Sequence, residues 1–281
     1  MVYPLPKPTP YHMPTDPAAI RYIALDLDGT LLRTDKSISD RTRHAIENAV
    51  TQGYQPIIAT ARPPRGATAL LDGFLPDAPT IYYSGALIVL HGQPIYTRTI
   101  SSNTAHAIVD RFMRQAPHAT ASLEINDRFF ATHPHEHALP GDVLDIRTVL
   151  TQDPIKIMLD MSAPDLPGDI LADLPDEVRY VISDSGTLAQ ISHKDISKSD
   201  AIRRTVERLG GQLDQVIAFG DDTNDVEMIR DAGVGIAMGN AVDQVKAVAT
   251  HVTATNDEDG VACVIEEWLL DHEEDKTVHL E

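Results

Sequence analysis

Short apolar runs that stop abruptly at polar residues recur near both ends of the chain. Residues 21–26 (RYIALD) hold an apolar block ending in a carboxylate, with a second acid and glycine just beyond. This is the pattern of a buried parallel strand whose C-terminal end meets solvent. A helix should follow. Ser39 or Asp40 supplies its cap, Ala45, Ile46, Ala49 and Val50 recur at helical spacing, and Gly53 closes it. Residues 55–60 read as a second strand, and strand, helix and strand predict a right-handed crossover in a parallel sheet. The alternation resumes later. A helix is predicted over 197–209 with Ile202, Val206 and Leu209 on one face, then a strand over 216–220 and a short helix over 224–232 closed by Gly233. A strand over 234–238 and a last helix over 260–270 complete the series.

From about 86 to about 189 the texture changes to short strands and irregular connections, with prolines at 94, 117, 134, 140, 154, 164, 167 and 175. This predicts a separate mixed α/β unit, 86–189, inserted into a core made of 21–85 and 190–281. If the flanking segments share one sheet, the insert covers the strands' C-terminal edge, where open α/β folds place their ligands. The first residues, with prolines at 4, 6, 8, 10, 14 and 17, read as an extended arm over 1–20, and the charged stretch 271–281 as a frayed end.

Composition narrows the partners. The chain has 281 residues, 42% of them hydrophobic and 23% charged, an ordinary globular balance. With Lys+Arg 23 against Asp+Glu 42 the formal charge is −19, so nucleic acid and anionic membrane surfaces are not expected partners, and small molecules or cations are. No apolar run reaches the roughly 18 residues of a membrane span. Cys263 is the single cysteine, so no intrachain disulfide forms and a cytoplasmic location is expected.

The chemistry begins at Asp26-Leu27-Asp28-Gly29-Thr30. Carboxylates two apart leaving a strand face the same side and repel by roughly 4 kcal/mol at about 4 Å near a protein surface. A cation or a proton relieves them, although the pentapeptide alone reads equally well as an acidic turn. Gly220-Asp221-Asp222-Thr223-Asn224-Asp225 repeats the theme between a strand and a helix, as an oxygen-rich site for a hard cation or as helix caps. Thr60 offers a hydroxyl and Lys198 a compact positive charge. Taken singly, they read as a cap and a solvated lysine.

In order along the chain, DLDGTLL at 26–32, IIATAR at 57–62, ISKSDAI at 196–202 and GDDTNDVEMIRDAGVGIAMGNA at 220–241 resemble the four motifs of the haloacid dehalogenase superfamily, most closely its Cof-type capped phosphatases. DEDGVACVI at 257–265 resembles that family's final helix. The resemblance implies an α/β fold, a Rossmann-like parallel-sheet core with an inserted mixed α/β cap. It also implies hydrolysis of small phosphorylated metabolites, sugar phosphates first, through an aspartyl-phosphate. Asp26 would be the nucleophile and Asp28 the general acid and base. Mg²⁺ would be held by Asp26, the Asp28 carbonyl and Asp221. Leu27 and Ala61 amides, Thr60, Lys198 and Asn224 would bind phosphoryl oxygens, with Asp225 supporting Lys198 and the metal's waters. Where this chain has Ala61, Ser199 and Ser84 the family usually has glycine, glycine and asparagine. A phosphomutase or a phospho-acceptor signalling domain would use the same phospho-aspartate chemistry. Asp28 opposes the signalling reading, because a general base beside the acceptor shortens its lifetime.

The insert carries two further features. His133, His135 and His137 lie at period two, with His118 upstream, and would share one face of a strand as transition-metal ligands or lie in a solvated loop. Arg98, Arg111, Arg114, Arg128 and Arg147 are candidate contacts for a second anionic group of a substrate. Gly233, Gly235 and Gly239 have the wrong interval for a dinucleotide fingerprint.

Overall fold

The computed structural model describes residues 16–133, 146–149, 151–163, 166–183 and 186–270. In chain order these form β1 (Tyr22–Leu25), α1 (Asp40–Thr51), β2 (Gln55–Ala59), α2 (Pro64–Leu71), β3 (Thr80–Tyr82), β4 (Leu87–Leu90) and β5 (Gln93–Thr97). Next come α3 (Ser102–Gln115), β6 (Ala121–Ile125), β7 (Arg128–Ala131), α4 (Ile146–Val149), β8 (Lys156–Asp160), β9 (Val178–Ser183) and β10 (Leu188–His193). The last part holds α5 (Lys198–Arg208), β11 (Val216–Gly220), α6 (Val226–Asp231), β12 (Val234–Ala237), α7 (Asp243–Lys246), β13 (His251–Val252) and α8 (Gly260–Val264).

Two sheets divide these strands. The larger has the order β13-β12-β11-β1-β2-β3-β4-β5, parallel except for β4 and β5. The smaller runs β7-β6-β8-β10-β9 and is antiparallel throughout. Each has its own apolar cluster: Ile23, Ile46, Ile57, Phe219 and Ile265 belong to the first, and Phe112, Leu123, Ile157 and Ile191 to the second. β1 sits where the order reverses, flanked by β2 on one side and β11 on the other. Ligands of open α/β sheets bind at the carboxyl ends of strands at such a switch point.

Sheet membership departs from the boundaries read from sequence. β4 and β5 extend the larger sheet although they follow residue 85, and β10 reaches residue 193 within the smaller one. β5 carries a proline and exposed side chains because it is an edge strand, which made it resemble the irregular insert. At the N-terminus, residues 16–20 are docked: a 3₁₀ turn over Pro17–Ala19 is capped by Asp16, and Ile20 is buried. Residues 1–15 and 271–281 lie outside the described residues.

Local departures have local causes. In α1, Ala45, Ile46 and Ala49 face the core but Val50, in the last turn, is 42% exposed. The helix expected from 224 opens instead as a 3₁₀ turn over Thr223–Asp225, because the Asp225 carboxylate bends back to accept the Asp221 and Asp222 amides. The last helix is α-helical only to Val264 and π-helical over Ile265–Leu270, with Ile265, Trp268 and Leu269 buried. Among the described residues no helix is long and apolar enough to cross a membrane.

Two neighbouring substitutions in α1 test this packing. Ile46→Ala should cost about 2–5 kcal/mol of unfolding free energy, and Val50→Ala no more than about 0.5 kcal/mol. Urea unfolding followed by circular dichroism measures both, and equal losses would contradict the burial assigned to this helix.

Candidate active site

The register of the larger sheet brings the two acidic segments together. Leu25 of β1 pairs with Phe219 of β11, and the Asp26 amide donates to the Phe219 carbonyl at 3.1 Å. Asp26 and the loop after Gly220 therefore leave the sheet side by side. Gly29 has φ +76°, and a Cβ there would collide with the Asp221 carboxylate, so only glycine lets this turn approach so closely. Thr30 Oγ1 donates to Asp221 Oδ1 at 2.9 Å, fixing that carboxylate over the turn.

Lys198 joins them from α5. Ser197 caps the helix, and Gly85, at φ +113°, packs against the Ser197 carbonyl where a side chain could not fit. Lys198 is fully buried, and its Nζ donates to Asp26 Oδ1 and Asp225 Oδ1, each at 2.6 Å. Burial alone would lower the pKa of this ammonium, but Asp225 and Asp26 hold it above its ordinary value, so it stays charged. Burial pushes the Asp26 carboxyl well above the usual carboxylate range. Lys198 pulls it down, and Asp225 and Asp221 push it up again. Burial, followed by repulsion from Asp225, pushes Asp221 up to about 7.

A divalent cation fits this cluster. Asp26, Asp221 and Asp225 each place a carboxylate oxygen within 4.8 Å of the others, and three carboxylates around one ammonium leave two negative charges uncompensated. The oxygens are not equally free. Asp225 spends Oδ1 on Lys198 and Oδ2 on two backbone amides. Asp26 and Asp221 are thus the side chains suited to hold a cation, and Asp225 the one that braces them. Asn224 Oδ1 is buried in the same loop without a hydrogen-bond donor among the described residues.

Asp28 stands apart from the cluster. Its carboxylate receives Arg62 Nε at 2.5 Å, Arg62 Nη2 at 2.7 Å and Lys36 Nζ at 2.8 Å. Partial burial raises its pKa, but the hydrogen bonds from Arg62 and Lys36 outweigh that and hold it below the ordinary value. Asp28 is therefore ionised here. Thr60 lies buried at the end of β2, its Oγ1 accepting the Arg62 amide at 3.1 Å. The Leu27 and Ala61 amides donate to no acceptor among the described residues. Ala61 does not adopt a left-handed backbone, so its methyl group is tolerated. Ser84, at φ 57°, donates its amide to the Thr60 carbonyl, and Ser199 Oγ ties α5 to Asp231 of α6.

The smaller sheet meets this site through residues that sequence reasoning did not single out. Arg65 of α2 makes a two-pronged pair with Glu124 of β6 at 2.6 and 2.7 Å and also reaches Asp127. Lys156 of β8 donates to the Ala61 carbonyl at 3.2 Å and to Gln190 Oε1 at 3.0 Å. The arginines expected to contact substrate are engaged elsewhere: Arg98 pairs with Asp195, Arg111 caps carbonyls at 169, 172 and 173, and Arg128 lies over Phe130. Arg114 is exposed on α3. The Arg147 side chain, with His135 and His137, lies outside the described residues. His133 contacts the Thr132 hydroxyl, and His118 is exposed.

Comparison with known proteins identifies the family. Residues 23–265 match the family model described as haloacid dehalogenase-like hydrolase. The chain is 31% identical over 265 residues to the 5-amino-6-(5-phospho-D-ribitylamino)uracil phosphatase YitU of Bacillus subtilis, covering 88% of this chain and 97% of that protein. It is also 31% identical over 259 residues to the B. subtilis phosphatase YcsE of the same name, covering 89% and 96%. A solved haloacid dehalogenase-like hydrolase from Bacteroides thetaiotaomicron superposes with a TM-score of 0.78 at 26% identity, over 88% of this chain and 98% of that one. The chain, with its capped α/β fold, belongs to the haloacid dehalogenase-like hydrolase family.

Proposed function

We propose that this hydrolase is a Mg²⁺-dependent phosphatase of small phosphorylated metabolites, sugar phosphates foremost, working through an aspartyl-phosphate on Asp26. The observation that carries the reading is the buried Lys198 ammonium bridging Asp26 and Asp225, with Asp221 alongside. Phosphatases among the relatives, two of them acting on a phosphorylated ribitylamino compound, support the substrate class.

Lys198 holds Asp26 Oδ1, which orients the carboxylate and leaves Oδ2 to attack phosphorus in line. Asp26, the Asp28 carbonyl and Asp221 would hold the cation, which when bound offsets the repulsion between the carboxylate and a phosphate dianion. The Leu27 and Ala61 amides, the Thr60 hydroxyl, Lys198 and Asn224 receive phosphoryl oxygens, and Asp225 keeps Lys198 in place. As the Asp26–phosphorus bond forms, the ester bond breaks and the leaving alkoxide takes a proton from Asp28. Water then attacks phosphorus, Asp28 takes its proton, and the Asp26 carboxylate is restored with release of phosphate. Asp28 as described suits the second step, since it is ionised. The first step requires its pairs with Arg62 and Lys36 to loosen so that it carries a proton. The smaller sheet closes over the site as a cap, pinned by Arg65 to Glu124, and admits substrates small enough to be enclosed.

Asp26→Asn should lower hydrolysis of p-nitrophenyl phosphate by about 10³-fold or more, and wild-type turnover in this variant would refute the nucleophile. Assay of the products distinguishes free phosphate, expected here, from the isomer a mutase would make. Mg²⁺ at a hundredfold excess over its Kd should stabilise the protein by about 2.7 kcal/mol. Differential scanning calorimetry reads this as a rise in Tm, which Asp221→Asn should abolish. A variant that keeps the full rise would remove Asp221 from the ligand set.

A further inference from the structure

Lys156 lies at the junction of cap and core with no carboxylate bonded to its ammonium among the described residues. It lies on β8, where Ile157 and Leu159 face the cap's own apolar cluster, so Lys156 and Met158 present the opposite face of the strand. Its Nζ reaches the carbonyl of Ala61, in the loop that follows β2 and carries the Thr60 hydroxyl. Both acceptors it uses, the Ala61 carbonyl and Gln190 Oε1, are neutral. An ammonium has three donors, so one N–H remains without an acceptor among the described residues. The Tyr83 ring lies 5.7 Å from Nζ.

The charged neighbours are already matched. Glu124, from β6, is paired with Arg65 of α2, which also holds Asp127. Arg62, in the same loop as Ala61, is paired with Asp28. Removal from water without a bound carboxylate lowers the Lys156 pKa to about 8, with Glu124 only partly opposing. The Tyr83 phenol is pushed up by burial and by Glu124, so it does not titrate in the same range.

We propose that Lys156 is the cap's specificity-determining residue, donating to a hydroxyl oxygen of a polyhydroxylated leaving group once the phosphoryl group occupies the site. This rests on the phosphatase reading above and narrows it. A sugar or polyol phosphate brings hydroxyls that both accept from Lys156 and donate to the neighbouring Gln190 and Glu124 acceptors. A leaving group with a second negative charge would meet the Glu124 carboxylate beside Lys156. An aryl leaving group offers Lys156 nothing to bind.

The test measures kcat/KM for ribitol 5-phosphate, glucose 6-phosphate, glycerol 3-phosphate, phosphoglycolate and phenyl phosphate with Mg²⁺. For the wild type, the best of the three polyol or sugar esters should exceed both phenyl phosphate and phosphoglycolate. In Lys156→Met the ratio of that ester to phenyl phosphate should fall about 10- to 100-fold, the range set by one hydrogen bond to a charged donor. The wild-type ratio should also decline above about pH 8 as Lys156 loses its proton, and Lys156→Arg, which stays charged, should restore the ratio and remove that decline. An unchanged ratio in Lys156→Met overturns the proposal, as does a preference for phenyl phosphate or phosphoglycolate in the wild type. Failure of the wild type on all five esters would instead overturn the phosphatase reading itself.

Discussion

The contact between the Lys198 ammonium and the carboxylates of Asp26 and Asp225 organises this molecule. It joins the end of β1, the turn after β11 and the start of α5 inside a region shielded from water. Breaking a buried pair by removing one partner leaves an uncompensated charge, at a cost of about 3–5 kcal/mol. The lysine therefore constrains its surroundings as firmly as they constrain it. Gly85 must stay bare for α5 to start where it does, Gly29 must stay bare for Asp221 to close the cluster, and Asp225 must fold back on its own loop amides to present one oxygen to the lysine.

Much of this was legible in the sequence because parallel strands announce themselves by apolar runs ending in acids. The runs at 21–26 and 216–220 gave β1 and β11, while Asp26 and Asp221 were distinguished from turn and cap acids only through the family resemblance. Asp225, expected as a support for Lys198, accepts its ammonium directly. The pairing of Asp28 with Arg62 and Lys36 was not legible, since nothing in local spacing says that side chains 34 and 8 positions away will meet on one carboxylate. The same holds for Arg65 with Glu124 and for Lys156 with the Ala61 carbonyl, which depend on how the inserted unit docks. Sheet membership at the insert's borders was not legible, because an edge strand, β5, has loop-like composition and β10 continues an antiparallel pair to residue 193.

Core and cap divide the labour along physical lines. The larger sheet supplies a buried set of charges, and in the proposed reaction this set does not depend on what the phosphate is attached to. The smaller sheet faces it with Ser122, Glu124, Lys156 and Gln190, side chains that can exchange hydrogen-bond partners. Such a split lets one phosphoryl-transfer site serve different leaving groups through changes in a few strand positions.

β1 lies between β2 and β11 in the sheet, with Leu25 set against Phe219, so one of its two partners comes from residues that follow the inserted unit. During synthesis the inserted unit emerges whole before that partner exists. Pairings of such long range are slow to form, and the region between has its own apolar cluster with which to fold first. The nascent polypeptide thus carries its lid before the charge cluster beneath it exists, and that cluster arises only once residues 216–225 have followed.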